Sequence, residues 1–167
     1  MNIRQEEADD LAAVHAVNEA AFETSAEADL VDTLRDKARP LVSLVAEESG
    51  SIVGHILFSP VTLSDHSEHM LMGLGPMAVL PQYQRQGIGS ALVREGIERC
   101  AELGCDAVIV LGHPAYYPRF GFVPASRYGI SSEYDVPDDV FMLIELKPGS
   151  LRGVSGKVSY DEAFSGV

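Results

Sequence analysis

Residues 81–93 read PQYQRQGIGSALV: two glycines stand one residue apart, with Gln84, Arg85 and Gln86 before them and an apolar helical pattern after them. A helix N-terminus leaves its first amides without intrahelical partners and carries a partial positive charge, so a loop that delivers those amides to a ligand favours phosphate. Gly87 and Gly89 lack the Cβ atoms that would hold a phosphate off the backbone. Two phosphate-binding signatures fit poorly. A Walker loop ends in Gly-Lys-Ser or Gly-Lys-Thr, and GIGSA has no lysine. A dinucleotide fingerprint needs a third glycine where Leu92 stands and a strand directly before Gly87, whereas LPQYQRQ intervenes. A glycine-tolerant helix start without a ligand stays open at this point.

The helix that follows is plain from its periodicity. Leu92, Val93, Gly96, Ile97 and Cys100 form one stripe, Arg94, Glu95, Glu98, Arg99 and Glu102 cover the other side, and Gly104 supplies the stop. Upstream, NIRQ suits a short strand, and Asp9 or Asp10 can cap a helix carrying Leu11, Val14, Val17, Ala21 and Phe22. A second amphipathic segment runs from about Glu27 to Lys37 and is stopped by Pro40. LVSLVAEE and SIVGHILFSPVTL flank the turn signal SG and read as a hairpin. HMLMGLGPMAVL is a further strand, and Gly73, Gly75 and Pro76 inside it mark a bulge or a close approach. Downstream, AVIVL is a buried strand, PAYYPRF a short helix beginning near Ala115, and VFMLIEL a late strand. The order β-α-α-β-β-β-α-β-α-β-β predicts an α/β (α+β) fold around a mixed, mostly antiparallel sheet flanked by helices.

A chain of 167 residues suits one domain, and at this size folding buries roughly 70% of the unfolded surface. The net charge of -13 and only 12 basic residues disfavour a nucleic-acid partner. Acidity suits a cationic substrate as well as solubility. No apolar run approaches a bilayer span, and MNIRQEEADD lacks the pattern of a signal peptide, so a cytoplasmic protein without a membrane partner is expected. Cys100 and Cys105 read as small apolar core residues. His66, His69 and His113 show no metal-ligand spacing, and no metal is expected.

MAVLPQYQRQGIGSALV resembles motif A of the GNAT superfamily of acetyl-CoA-dependent N-acetyltransferases, through Gln84, Gly87 and Gly89. YPRFGF resembles the family's later motif, with Tyr117 four residues before Gly121-Phe122. VGHILFSPV, HPAYYPRFGF and the tail FMLIELKPGSLRGVSGKVSY look like the YhbS-like bacterial branch. The likeness takes in residues 1–146 by element order and leaves 147–167 as a C-terminal extension of a single domain. It implies acetyl-CoA as cosubstrate, with pyrophosphate on the amides of Arg85, Gln86, Gly87, Ile88, Gly89 and Ser90 and the loop fixed by Gln84. The pantetheine arm is implied to lie along the preceding strand, where the amide of Met77 or Val79 polarises the thioester.

The resemblance makes Tyr117 the acid for the departing thiolate, with Tyr116 as substitute and a core aromatic as the plain alternative. Pro118 is tolerated in a helix mainly in its first turn, which puts Tyr117 near the mouth. The base is open between His55, more simply read as a core histidine, and Glu27, more simply read as a helix-start charge. Many relatives carry Asn where this chain has LGHP, and His113 is not assigned that role. The implied reaction is direct attack by a primary amine, most simply of a small molecule, in a ternary complex. A non-catalytic acyl-CoA sensor is the rival. The protein is expected as a monomer or homodimer.

Overall fold

The computed structural model describes residues 1–166. A sheet of nine strands forms its centre, and seven of them run in the order β1-β2-β3-β4-β5-β8-β6. The first five are β1 (Asn2–Gln5), β2 (Val42–Glu48), β3 (Ser51–Leu63), β4 (Leu71–Val79) and β5 (Ala107–Leu111). They are followed by β6 (Val123–Pro124), β7 (Ile130–Ser132), β8 (Phe141–Glu145) and β9 (Gly156–Ser159). Pairing is antiparallel except for β4 with β5 and β7 with β9. The mixed, mostly antiparallel sheet therefore matches the sequence reading.

Helices cover both faces. On one side α3 (Ile88–Glu102) buries Ile88, Leu92, Val93 and Cys100 against Leu44, Ile56, Phe58 and Met72. On the other, α1 (Leu11–Phe22) and α2 (Ala26–Lys37) bury Val14, Leu30, Val31 and Leu34 against Val45 and Leu57. The strand period of two sends Leu44 and Ile56 to the first face and Val45 and Leu57 to the second. Among the described residues no helix is long and apolar enough to cross a membrane.

Two features differ from the expected order. The helix expected near Ala115 is a single 3-10 turn, Tyr117–Phe120, with Pro118 in its first turn and Gly121 at φ 104° ending it. Short strands then appear that no periodicity announced, because two or three residues cannot display a pattern. The C-terminal segment also joins the sheet: β9 pairs Thr62 with Ser159 and Leu63 with Val158 at the end of β3, and lies parallel to β7. Lys37 then anchors the last turn through Asp161 at 2.8 Å.

The seating of α3 sets where its N-terminus points. Gly96 faces Phe58 on β3, and a Cβ built there would fall on the Phe58 ring. Gly96→Ala is therefore expected to lower unfolding free energy in urea by about 1–3 kcal/mol through overpacking. Equal stability would mean that Phe58 moves aside freely.

Candidate active site

The loop between β4 and α3 makes the first half of the site. Pro81–Tyr83 form a 3-10 turn, and Gln84 Nε2 donates to the Val79 carbonyl at 2.9 Å, closing the loop onto the strand it left. Gly87 sits at φ 87°, a left-handed conformation that a side chain resists. The Ala91 amide is bonded to the Gly87 carbonyl, which leaves the amides of Ile88, Gly89 and Ser90 outside the helical ladder. They border a cavity of about 420 Å³ whose wall includes Val79, Gln84, Arg85 and Gly87. Gly89 faces it: a Cβ there would lie 3.5 Å from Met77 Sδ and 3.7 Å from the Tyr116 hydroxyl.

Two residues complete this cavity: Tyr116, which the sequence offered as the substitute acid, and Arg119, which it did not single out. Tyr116 and the Ser90 hydroxyl are hydrogen-bonded at 2.9 Å, and Arg119 lies over the Tyr116 ring at 4.5 Å. Arg119 Nε also donates to the Tyr116 carbonyl at 2.8 Å. Arg85 and Arg119 thus both line a cavity at a helix N-terminus, a setting for an anion such as pyrophosphate. Gln86 is exposed, with its side chain on the Gln82 carbonyl at 3.3 Å, and it is not among the residues that line this cavity.

The second half opens where β4 and β5 part. Their parallel pairing covers Leu71–Gly73 and Ala107–Ile109, and beyond it a cavity of about 540 Å³ is walled by Leu74, Gly75 and Met77 on one side and Leu111 on the other. Tyr117 and Glu27 both line it. The Tyr117 ring rests against Gly112 and packs edge-on to Phe122, with centroids 5.7 Å apart. Burial, and then the neighbouring Tyr116, push its hydroxyl up to about 12, so Tyr117 keeps its proton at neutral pH. Glu27 stands in the first turn of α2, half-buried, and accepts from Thr24 Oγ1 at 3.3 Å. The two adjacent tyrosines are thereby divided, Tyr116 to the first cavity and Tyr117 to the second.

A sheet whose central parallel pair splays, a glycine loop feeding a helix N-terminus at the end of the splayed strand, and a tyrosine across the cleft define a GNAT-fold acyltransferase. The comparisons agree. The profile of the Acetyltransferase (GNAT) family matches residues 7–122, and the chain belongs to that family. It is 36% identical over 166 residues to YhbS, an uncharacterised N-acetyltransferase of Escherichia coli K12, covering 99% of each chain. To YjhQ, a second uncharacterised N-acetyltransferase of that organism, it is 44% identical over 134 residues, 78% of this chain and 74% of the other. The crystal structure of E. coli YhbS in complex with CoA superposes with a TM-score of 0.91 at 35% identity, covering 98% of this chain and 91% of that one. A Brucella melitensis GNAT acetyltransferase in complex with acetyl-CoA gives 0.80 at 37% identity, covering 98% and 97%.

Two sequence expectations meet a different placement. Glu68, between His66 and His69, brings ligand atoms of the three within 4.8 Å of one another, a group that could hold a cation. They sit in the turn between β3 and β4, at the opposite end of β4 from the glycine loop, outside both cavities. His55 is the other case. It is fully buried under α1, away from the cavity lining, so its candidacy as the base is corrected. Asn18 Nδ2 donates to the Val14 carbonyl at 3.0 Å and to His55 Nδ1 at 3.1 Å, which leaves the imidazole proton on Nε2, facing Ser43 Oγ at 2.9 Å. Burial, then the positive charge of Arg35, push His55 down to about 3.

An unfolded histidine titrates near ~6.5, so below that pH the unfolded chain binds a proton that the folded one refuses. The stability His55 contributes is complete above pH 6.5 and is lost as pH falls towards about 3. Urea unfolding should therefore weaken between pH 6.5 and 5 by up to ~1.4 kcal/mol per pH unit, and His55→Gln should flatten that segment. An unchanged slope would assign the loss to other groups.

Proposed function

We propose that this chain transfers the acetyl group of acetyl-CoA to the primary amine of a small molecule, by direct attack in a ternary complex. The observation that carries this reading is that one edge of β4 serves both cavities: Val79 borders the first, and Met77, two residues earlier, borders the second. Pyrophosphate held at the α3 N-terminus lets the pantetheine arm run back along β4 and deliver the thioester beside Met77 and Tyr117. The related proteins with CoA and acetyl-CoA bound support the same cosubstrate here.

The amine nitrogen attacks the thioester carbonyl carbon, and a backbone amide at Met77 or Val79 stabilises the charge that develops on oxygen. The carbon–sulfur bond breaks, sulfur leaves with the electron pair, and the net proton passes from nitrogen to sulfur. Tyr117 donates to the departing sulfur. Glu27 binds the incoming ammonium and takes one proton, directly or through water, to give the neutral amine that attacks; the second proton, shed by nitrogen after attack, replaces through solvent the one Tyr117 gives to sulfur. A non-catalytic acyl-CoA sensor needs the first cavity alone, and the placement of Tyr117 and Glu27 on the second favours the enzyme. The proposal takes the 167 residues as one domain, since the segment after residue 147 contributes Tyr160 and Phe164 to the second cavity.

Two variants test this reading. At Gly89 a Cβ would make only ordinary contacts, so Gly89→Glu should fold, while its carboxylate among the phosphate-facing amides should abolish acetyl-CoA binding in calorimetry. Parent-like affinity in the folded variant would remove the phosphate role. Tyr117→Phe deletes one oxygen and keeps the ring packing, so turnover should fall roughly 10²–10⁴-fold with acetyl-CoA affinity nearly unchanged. Full turnover in Tyr117→Phe together with its loss in Tyr116→Phe would transfer the role to the neighbouring tyrosine.

A further inference from the structure

Part of the wall of the second cavity is built by residues distant in sequence. Phe22 ends α1, Tyr134 and Val136 come from the segment between β7 and β8, and Tyr160 and Phe164 come from the chain after β9. Three of the rings run in sequence, with centroids 5.5 Å apart for Tyr134 and Tyr160 and 5.3 Å for Tyr160 and Phe164. Phe22 and Tyr134, each 37% exposed, are among the few large apolar side chains open to solvent in the molecule, and both stand at this one cavity. Exposed aromatic surface gathered at one concave place is covered when a ligand with an apolar body binds.

The charges of the wall are as uneven as its shape. Among the described lining residues Glu27 is the one carboxylate, and none is Lys, Arg or His. A single ammonium therefore has a single partner. A second ammonium on a diamine or polyamine would find no further carboxylate within this lining; Glu133, Asp135 and Asp138 belong to a neighbouring cavity that shares Tyr134 and Val136 with it. A carboxylate on the acceptor, as in a free amino acid, would find no cation there and would face Glu27 in a protein of net charge -13.

We infer that the acceptor is a primary amine with one positive charge carried on an apolar, ring-bearing body, of the arylalkylamine kind. The body packs on the Tyr134–Tyr160–Phe164 wall and under Phe22, and its ammonium meets Glu27. Aromatic faces supply both area and offset-stacking geometry for a ring. This assignment rests on the acetyl-transfer reading for its chemistry, but not for its binding, which separates the two experimentally.

The test measures 2-phenylethylamine, putrescine and phenylalanine twice: binding to the CoA-loaded full chain by calorimetry, and thiol release with acetyl-CoA. 2-Phenylethylamine is expected to bind more tightly and to give a kcat/KM at least tenfold above the other two. Phe22→Ala and Tyr134→Ala, both at exposed positions that folding tolerates, should each raise its KM severalfold and leave the KM for acetyl-CoA alone. Preference for putrescine or phenylalanine overturns the inference and leaves acetyl transfer standing. Binding of 2-phenylethylamine with no thiol released for any amine keeps the ligand class and overturns acetyl transfer. Absence of 2-phenylethylamine binding, or variants with unchanged KM, overturns the inference.

Discussion

Buried backbone N–H and C=O groups must find partners, and the central strand of this sheet leaves most of one edge without a strand partner. β4 pairs with β5 over only three residues, after which no strand lies on that side through Val79, whose carbonyl accepts from Gln84. On the opposite edge the register with β3 shifts between Ile56 and Phe58, across from Gly75 and Pro76, so even the paired side is irregular there. An extended chain that carries its own amides can complete such an edge as an added strand, with main-chain hydrogen bonds supplying affinity. The pantetheine arm has that character. Both cavities, the placement of α3 and the position of Tyr117 follow from where the two strands separate.

The charge of the molecule at first opposes this use, because CoA is polyanionic and the protein carries a net charge of -13. Distance decides which effect wins. At physiological ionic strength exposed charges beyond about 8 Å are largely screened, whereas Arg85, Arg119 and the amides at the start of α3 border the phosphate cavity itself. A local cationic site can therefore sit in an acidic protein.

The strands β2, β3 and β5, α3 and the glycine loop were legible because each is written in contiguous residues: alternation, a stripe or a pair of glycines. The sequence also brought Tyr117 and Glu27 forward, and they line one cavity. What it did not reveal is assembled by tertiary structure. Arg119 lies at the first cavity stacked on Tyr116 and bonded to its carbonyl, and the aromatic wall joins residues 22, 134, 160 and 164 from separate segments. His55 misled for a related reason. Its alternation with Ile56 marks a face of β3 but not what covers that face, and here α1 covers it, with Asn18 and Ser43 satisfying both ring nitrogens.

The high proton affinity of Tyr117 constrains how the proposed reaction is completed. A hydroxyl raised to about 12 is a weaker acid than an alkyl thiol, whose reference value in water is ~8.5, so outright protonation of the thiolate by Tyr117 is uphill if the thiolate is well hydrated. In the proposed complex the thiolate forms in a cavity lined mostly by apolar side chains. The desolvation that lifts Tyr117 also acts on the sulfur leaving beside Leu111 and Met77, which narrows the gap. A hydrogen bond from Tyr117 then stabilises charge as it forms on sulfur, without the resting site ever holding a phenolate. The proton finally bound to sulfur is balanced by the one nitrogen sheds after attack, while Glu27, on the same cavity, is proposed to take the earlier proton of the ammonium.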